Sequence, residues 1–388
     1  MSTLPSSSSL GITVGVVQFF FATTWTLYVV YLPQLAQAAG IGKQWVPWIL
    51  VADQVMFAVA DVATGFWVDR VRAGLARLGG WILGVTVLSS IAFVALPYLN
   101  ASPGFLLAAI AAWAITSSAL RSPPWVMLGR HAAQPRLPAL AALVLIGGAV
   151  ASALAPYLGI ALRGVDPKLP FMVSTLTLLA TVVALVYAER RFPPPHDAAQ
   201  ASEAQRGSAG IFFVALFLMA AGFQIHFSLN SAARYLQLAP AGRLPFLMPV
   251  FWIGFSLAML AAPAAVKRLG ALQGMAIAAG LGALAMFCTT LASGLGVLVA
   301  CELIAGASWG LGSVGAYSAA TGFGRTGREG RFLGTLFAVL AIAAFARIAA
   351  YASDLVVEPG IKAWLPWAPP VAWVSAALLL LAGTSRSR

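Results

Sequence analysis

Residues 45–72 read WVPWILVADQVMFAVADVATGFWVDRVR, a long apolar run that carries three carboxylates, Asp53, Asp61 and Asp69, and closes on Arg70 and Arg72. An apolar stretch of about 20 residues is long enough to cross the hydrocarbon core of a bilayer as a helix. Charged residues make up only 9% of the chain, so three acids in one such stretch are not background. At mid-bilayer an ionisable side chain costs about 2.5–3.5 kcal/mol, so each needs a partner or a task.

The same kind of stretch recurs from end to end. The chain has 388 residues, 61% of them hydrophobic, and a mean hydropathy of +0.90. A soluble domain holds about 45–50% apolar residues, and one soluble core of this length could not hide the excess. Apolar spans are expected near 10–36, 44–67, 77–98, 104–128, 138–162 and 169–188, then near 210–237, 244–266, 271–290, 293–320, 331–354 and 363–383. Within lipid such runs satisfy their backbone hydrogen bonds only as helices. The alternating segments of about ten residues that mark a β-barrel are missing. The expectation is an all-α integral membrane protein with twelve transmembrane helices.

A net charge of +12 raises the question of nucleic acid, and its distribution answers it. With the N-terminus inside, Arg70, Arg72, Arg77, Arg130, Arg136, Arg190, Arg191, Arg206, Lys267, Arg268, Arg325, Arg328, Arg331, Arg386 and Arg388 fall on the cytoplasmic face. Only Lys43, Arg163, Lys168, Arg243 and Lys362 fall on the other. Fifteen against five is the positive-inside pattern, which places both termini in the cytoplasm and the chain in an inner or plasma membrane. The basic excess reports contact with anionic lipid rather than a nucleic-acid partner.

One polar segment, ERRFPPPHDAAQASEAQRGSA at 189–209, divides the chain into two six-helix halves, 1–188 and 210–388, joined by a cytoplasmic linker. The halves are related by an offset of 198 residues. It sets Val68-Asp69-Arg70 over Val266-Lys267-Arg268 and Gly129-Arg130 over Gly327-Arg328. Internal repeats of this kind are a signature of transporter folds.

Two pseudo-repeated halves, a central linker and G-x-x-x-D-R after the second span (Gly65, Asp69, Arg70) resemble the major facilitator superfamily. The fifth span adds Ala151-x-x-x-Ala155-Pro156-x-x-Gly159, similar to the fifth-helix motif of superfamily exporters with alanines for glycines. A narrower resemblance is to melibiose-carrier-like sugar:cation symporters. Asp61, Gly65, Asp69, Arg70, Arg72 and Trp81-Ile82-Leu83 match that branch's spacing without gaps. Val62 replaces its proline, Gly74-Leu75 replace Arg-Trp, and Phe57 occupies the place of a second carboxylate. The resemblance implies that Gly65, Asp69, Arg70 and Arg72 form a conformational latch. It also implies that the first and seventh helices line a substrate cavity.

Asp53 lies about nine residues into its span, roughly 13 Å deep at ~1.5 Å per residue. Asp61 follows about two turns later on nearly the same face. The pair reads as an ion-coupling relay; the plainer alternative is a structural ion pair with a neighbouring helix. The seventh span, GFQIHFSLNSAARYLQ at 222–237, carries Gln224 and steps of four through His226, Asn230 and Arg234. On an α-helix those steps share a face, and the 198 offset sets Tyr28 over His226. Gln224, His226, Asn230, Arg347, Trp25 and Tyr28 are therefore expected at the substrate cavity, with Trp309 as a further stacking ring. Arg121 and Glu302 are expected in structural ion pairs, Arg121 with Asp61 and Glu302 with Arg347. Asp354 is the other candidate partner for Arg347, and an anionic group of the solute is the alternative to both if Arg347 faces the cavity.

No catalytic motif, nucleotide-binding loop or metal-ligand cluster is present, and the three histidines are scattered. Neither an enzyme nor a bound cofactor or metal is expected. The composite expectation is a monomeric secondary transporter moving a small organic solute by proton-coupled symport, with another monovalent cation as the less favoured ion. The alternatives are a proton-driven exporter of drug-like molecules and a non-transporting sensor or assembly factor.

Overall fold

The computed structural model describes residues 7–71, 77–99, 101–192, 207–325 and 327–385, and among these there are helices and connecting turns but no strand. The helices are α1 (Ser7–Ala38), α2 (Val46–Arg70), α3 (Gly79–Ala95), α4 (Pro103–His131), α5 (Leu137–Ala161) and α6 (Lys168–Arg190). The second set is α7 (Ala209–Leu238), α8 (Ala241–Ala258 continued by Ala262–Leu269), α9 (Ala271–Leu291), α10 (Leu295–Gly324), α11 (Glu329–Ala352) and α12 (Ala368–Ser385). Ten of these are long and apolar enough to cross a membrane; α3 and α12 are shorter apolar helices. Every expected span thus coincides with a helix. Arg72, Arg206, Arg386, Arg388 and most of the 189–209 linker lie outside the described residues. The linker's first residues differ from expectation, because α6 continues to Arg190 and takes Glu189 with it.

Three helices depart from the straight spans expected. In α4 the helix breaks between Ser117 and Ser122. Pro123 and Pro124 supply no backbone N–H and disfavour α geometry just before them. The carbonyl of Leu120, freed at this break, accepts instead from Gln18 Nε2 of α1 at 2.7 Å. α8 breaks between Ala258 and Ala262, ahead of Pro263. In α7, His226–Ser231 form a π-turn rather than α-helix. Gly129 and Arg130 lie within the last turn of α4, whereas Gly327 and Arg328 occupy the α10–α11 turn.

Packing follows the repeat. Within the first half α1 packs on α5 and α6, and α3 on α4 and α6; the second half repeats this with α7 on α11 and α12, and α9 on α10 and α12. The halves meet along two symmetry-related seams, α2 against α11 and α5 against α8. Small residues bring these backbones close, as membrane helix pairs commonly require. Gly65 backs onto the Gly330 carbonyl, and Gly334 onto that of Asp61. In the first half Gly147 of α5 backs onto the Gly15 carbonyl of α1. A Gly147→Val variant should therefore lower the thermal midpoint of the purified protein, with overpacking costing about 1–3 kcal/mol. Gly148→Ala, whose added methyl meets nothing within 4 Å, should leave the midpoint unchanged.

Candidate functional site

Between the two halves lies a cavity of about 290 Å³. α1, α4 and α5 contribute from one half and α7, α8, α10 and α11 from the other. Its walls combine aromatic rings with aliphatic and small side chains. Phe223 and Trp309 stack at 5.0 Å with ring planes 11° apart, and Trp252 meets Phe223 edge-on at 5.8 Å. On one side Trp125 of α4 stacks on Tyr317 of α10 at 3.9 Å and 13°, joining the halves. Trp125 can do this because the break in α4 starts a new helix three residues before it. Polar groups are few: Gln18, Ser152, Gln224, Ser313 and Tyr317 reach the lining, and no charged side chain does among the described residues. Such a surface suits a small molecule with an apolar or planar face and a few hydrogen-bonding groups.

On the side that carries the linker, the halves are fastened at the end of α2. Asp69 Oδ1 accepts from the Gly330 N–H at 2.7 Å, and Oδ2 from the Arg331 N–H at 2.9 Å. Those amides belong to the first turn of α11, where N–H groups lack helical partners and the helix dipole favours an anion. Arg331 in turn covers the Phe66 ring at 4.3 Å. Arg130 Nη2 donates to the Val68 carbonyl at 3.3 Å, and Arg325 Nη1 to Gln134 Oε1 at 3.0 Å. Gly65 permits the close approach that brings Asp69 onto α11, and Arg70 is exposed beside it.

Two turns deeper, fully buried Asp61 lies against Arg121, with Oδ2 and Nε 2.9 Å apart. The approach is out of line for a hydrogen bond, so the contact is one of charge. The guanidinium also donates to the Phe337 carbonyl of α11 at 3.4 Å and lies over the rings of Phe57 and Phe337 at 4.9 and 5.3 Å. Arg121 thereby ties α4 and α2 to the opposite half. Asp53, also fully buried, accepts from Tyr28 Oη at 2.7 Å and borders a separate apolar pocket between α2 and α4. The two aspartates thus answer to different helices, and neither lines the central cavity.

Of the six residues expected at the substrate cavity, Gln224 lines it, and Arg347 stands behind, its Nε donating to Gln224 Oε1 at 3.0 Å. That contact corrects the expected partner of Arg347, which was Glu302 or Asp354. Trp25 and Tyr28 pack instead with Trp113, at 5.9 and 4.7 Å, inside the first half. His226 and Asn230 turn away from the centre: His226 stands two residues, about 200° of helix, from Gln224, and Asn230 follows it within the π-turn. His226 Nε2 meets Glu302 Oε2 at 3.2 Å, and Asn230 Nδ2 donates to the Leu365 carbonyl at 2.8 Å. Glu302 therefore pairs with a histidine on α7, not with Arg347 on α11. Arg234 caps α9 by donating to the carbonyls of Thr289 and Ala292.

Sequence reasoning missed Gln18, Trp125 and Tyr317. The Pro123-Pro124 pair was the available signal for the first two, since a broken helix leaves carbonyls in need of donors. Glu189 was missed as well. Its oxygens accept from the N–H groups of Leu78 and Gly79 at 3.0 and 2.8 Å, capping α3 within one half as Asp69 caps α11 across the two.

A profile of the Major Facilitator Superfamily matches residues 14–384. The chain belongs to this superfamily. Solved superfamily-like structures agree at the level of fold. A bacterial homologue of the iron transporter ferroportin in an outward-facing state is 15% identical, with a TM-score of 0.72 over 97% of this chain and 100% of that one. A human organic anion transporter, MFSD10, is 14% identical, with a TM-score of 0.71 over 99% and 100%. The Escherichia coli fucose:proton symporter is 13% identical, with a TM-score of 0.71 over 97% and 99%. Among curated protein sequences none matches. Membership makes the chain a multi-pass membrane transporter by family, and the comparisons do not single out the melibiose-carrier branch.

Proposed function

We propose that the chain is a proton-coupled secondary transporter that carries a small, uncharged organic solute through the central cavity by alternating access. The observation that carries this reading is the uncharged, aromatic-walled cavity between the halves, above a seam held by Asp69 and by Asp61–Arg121. A cationic solute would lose its hydration there with no counter-charge to replace it. Gln18 and Gln224 supply the hydrogen bonds that orient the solute, with Arg347 holding Gln224. Asp61 is the coupling carboxylate, since its partner Arg121 also contacts α11 and its charge state bears directly on the seam. Asp53 with Tyr28 is a second candidate for the ion. The loop match to sugar:cation symporters supports uptake. The membrane is the inner or plasma membrane, and the linker side is the cytoplasmic one.

A second reading, proton-driven export of apolar drug-like molecules, draws on the aromatic lining and on Ala155-Pro156-x-x-Gly159. Purified protein in vesicles decides between them. Neutral sugars and apolar dyes are offered under a pH gradient of either sign. Uptake that runs with the inward proton gradient supports symport; movement opposite to it supports export. Counterflow of no solute with or without a gradient would overturn both readings.

A further inference from the structure

The chain has two cysteines, and the fold brings them together. Cys288 of α9 and Cys301 of α10 are the only ones in the sequence, and both thiols are free. Their side chains are in hydrogen-bond contact with each other. Cys288 stands about one turn before the end of α9, and Cys301 about two turns after the start of α10. The two helices are packed neighbours joined by the short turn at 292–294. Small-residue packing would need neither sulfur to face the other.

The hairpin that carries the pair is pinned from outside. Arg234 of α7 donates to the carbonyls of Thr289 and Ala292, and Thr290 Oγ1 donates to the Pro366 carbonyl at 3.1 Å. A disulfide sets its Cβ atoms about 3.5–4.5 Å apart, and distorted ones store strain. Thiols already in contact on a fixed hairpin need little adjustment to meet that geometry. Cys301 is buried and Cys288 is partly exposed, so one sulfur is open to a reagent and the other waits behind it. α9 runs away from the linker side, so both sulfurs lie near the face that the basic residues avoid. On an extracytoplasmic face disulfides form and persist, whereas the cytoplasm keeps thiols reduced.

We infer that Cys288 and Cys301 form an intramolecular disulfide that staples α9 to α10 near their outer ends. The inference rests on the reading that the linker side is cytoplasmic; it is independent of the solute and of the coupling ion. The oxidant is an exchange disulfide, R–S–S–R, of the outer compartment. The Cys288 thiolate attacks one of its sulfurs, the R–S–S–R bond breaks, Cys288–S–S–R forms and one R–S⁻ leaves. The Cys301 thiolate then attacks Cys288 Sγ, which makes the Cys288–Cys301 bond and expels the second R–S⁻. The two protons lost by the cysteines go to the two leaving thiolates, and R–S–S–R takes up the two electrons. Both stapled helices belong to one half, so the bond ties nothing across the two seams.

Membranes denatured in acid and then treated with excess maleimide test for the bond in the wild type. The intact mass should show no maleimide before reduction and two after it. Two maleimides without reduction, or a disulfide-linked dimer on a non-reducing gel, would overturn the inference. Purified, reduced protein offered oxidised glutathione should also lose both maleimide sites, with no added glutathione mass. Glutathione retained on Cys288 would show that the sulfurs do not close, and would equally overturn it. Neither arm needs a variant. The side is tested with Cys301→Ser in intact cells and a membrane-impermeant, charged maleimide, which should modify Cys288 without opening the membrane. If Cys288 reacts only after the membrane is opened while the wild type shows the bond, the side reading fails and the disulfide stands. If it reacts from outside while both wild-type thiols are free, the side reading stands and the inference fails. No reaction from either face would place Cys288 beyond any exchange partner and overturn the exchange step.

Discussion

An Asp61→Asn variant should reach the membrane in normal amount yet accumulate no solute under an imposed inward proton gradient. The carboxylate is fully buried, and its close partner in the structure is Arg121. Removing one member of a buried ion pair costs about 3–5 kcal/mol when the survivor is left uncompensated. Here the guanidinium keeps the Phe337 carbonyl and two ring faces, so the loss of stability should lie at or below the low end of that range. The Asp61→Asn/Arg121→Gln double variant removes both charges. It should regain most of the lost thermal stability and still not accumulate solute. Coupled double-variant energetics of this kind are expected for groups in direct contact. Full accumulation by Asp61→Asn in vesicles would remove Asp61 from the coupling role, whatever the stability data showed.

The second large effect is expected at the latch. Asp69→Ala should shift the protein away from the state closed on the linker side by roughly 10- to 100-fold, taking about 1.5–3 kcal/mol for charge-assisted hydrogen bonds onto the α11 amides. A half-buried carboxylate is partly screened, so this single-bond value is used for the pair of bonds together. Asp69→Asn keeps one acceptor oxygen and should show a smaller shift. Electron-spin distance measurements between labels on the linker-side ends of the two halves would read the populations directly. Unchanged distance distributions in Asp69→Ala would show that the α2–α11 seam closes without its acid. Lys267-Arg268 occupy the corresponding place on α8, so the repeat offers no second carboxylate to take over.

The motif that carries the Asp69 contact was legible because it is written locally. Gly65, Asp69 and Arg70 lie within six residues at the end of one span, and their spacing alone carries the resemblance. The structure added what they hold, the first-turn amides of a helix more than 250 residues away. The Asp61–Arg121 contact was legible for a different reason: two charges at similar depth, one in the second span and one in the fourth, have few other partners. The cavity lining was legible at Gln224 and Trp309. Its floor depends on Trp125 and Tyr317, and nothing in a single sequence says that these two rings meet.

What the sequence by itself determined is the set of twelve helices, their order, the repeat and the lopsided distribution of basic residues. Hydrocarbon thickness and the positive-inside bias act on each segment separately, so they can be read segment by segment. Which face of each helix looks inward was decided only by tertiary structure. A helix turns by about 100° per residue, so one extra residue in a turn redirects the side chains around it. In α7 Gln224 keeps the cavity, while His226, about 200° further round the helix, meets Glu302, and Asn230, inside the π-turn, meets the Leu365 carbonyl. The breaks in α4 and α8 act in the same way. Prolines announce where such breaks fall, but the packing of distant helices fixes their direction.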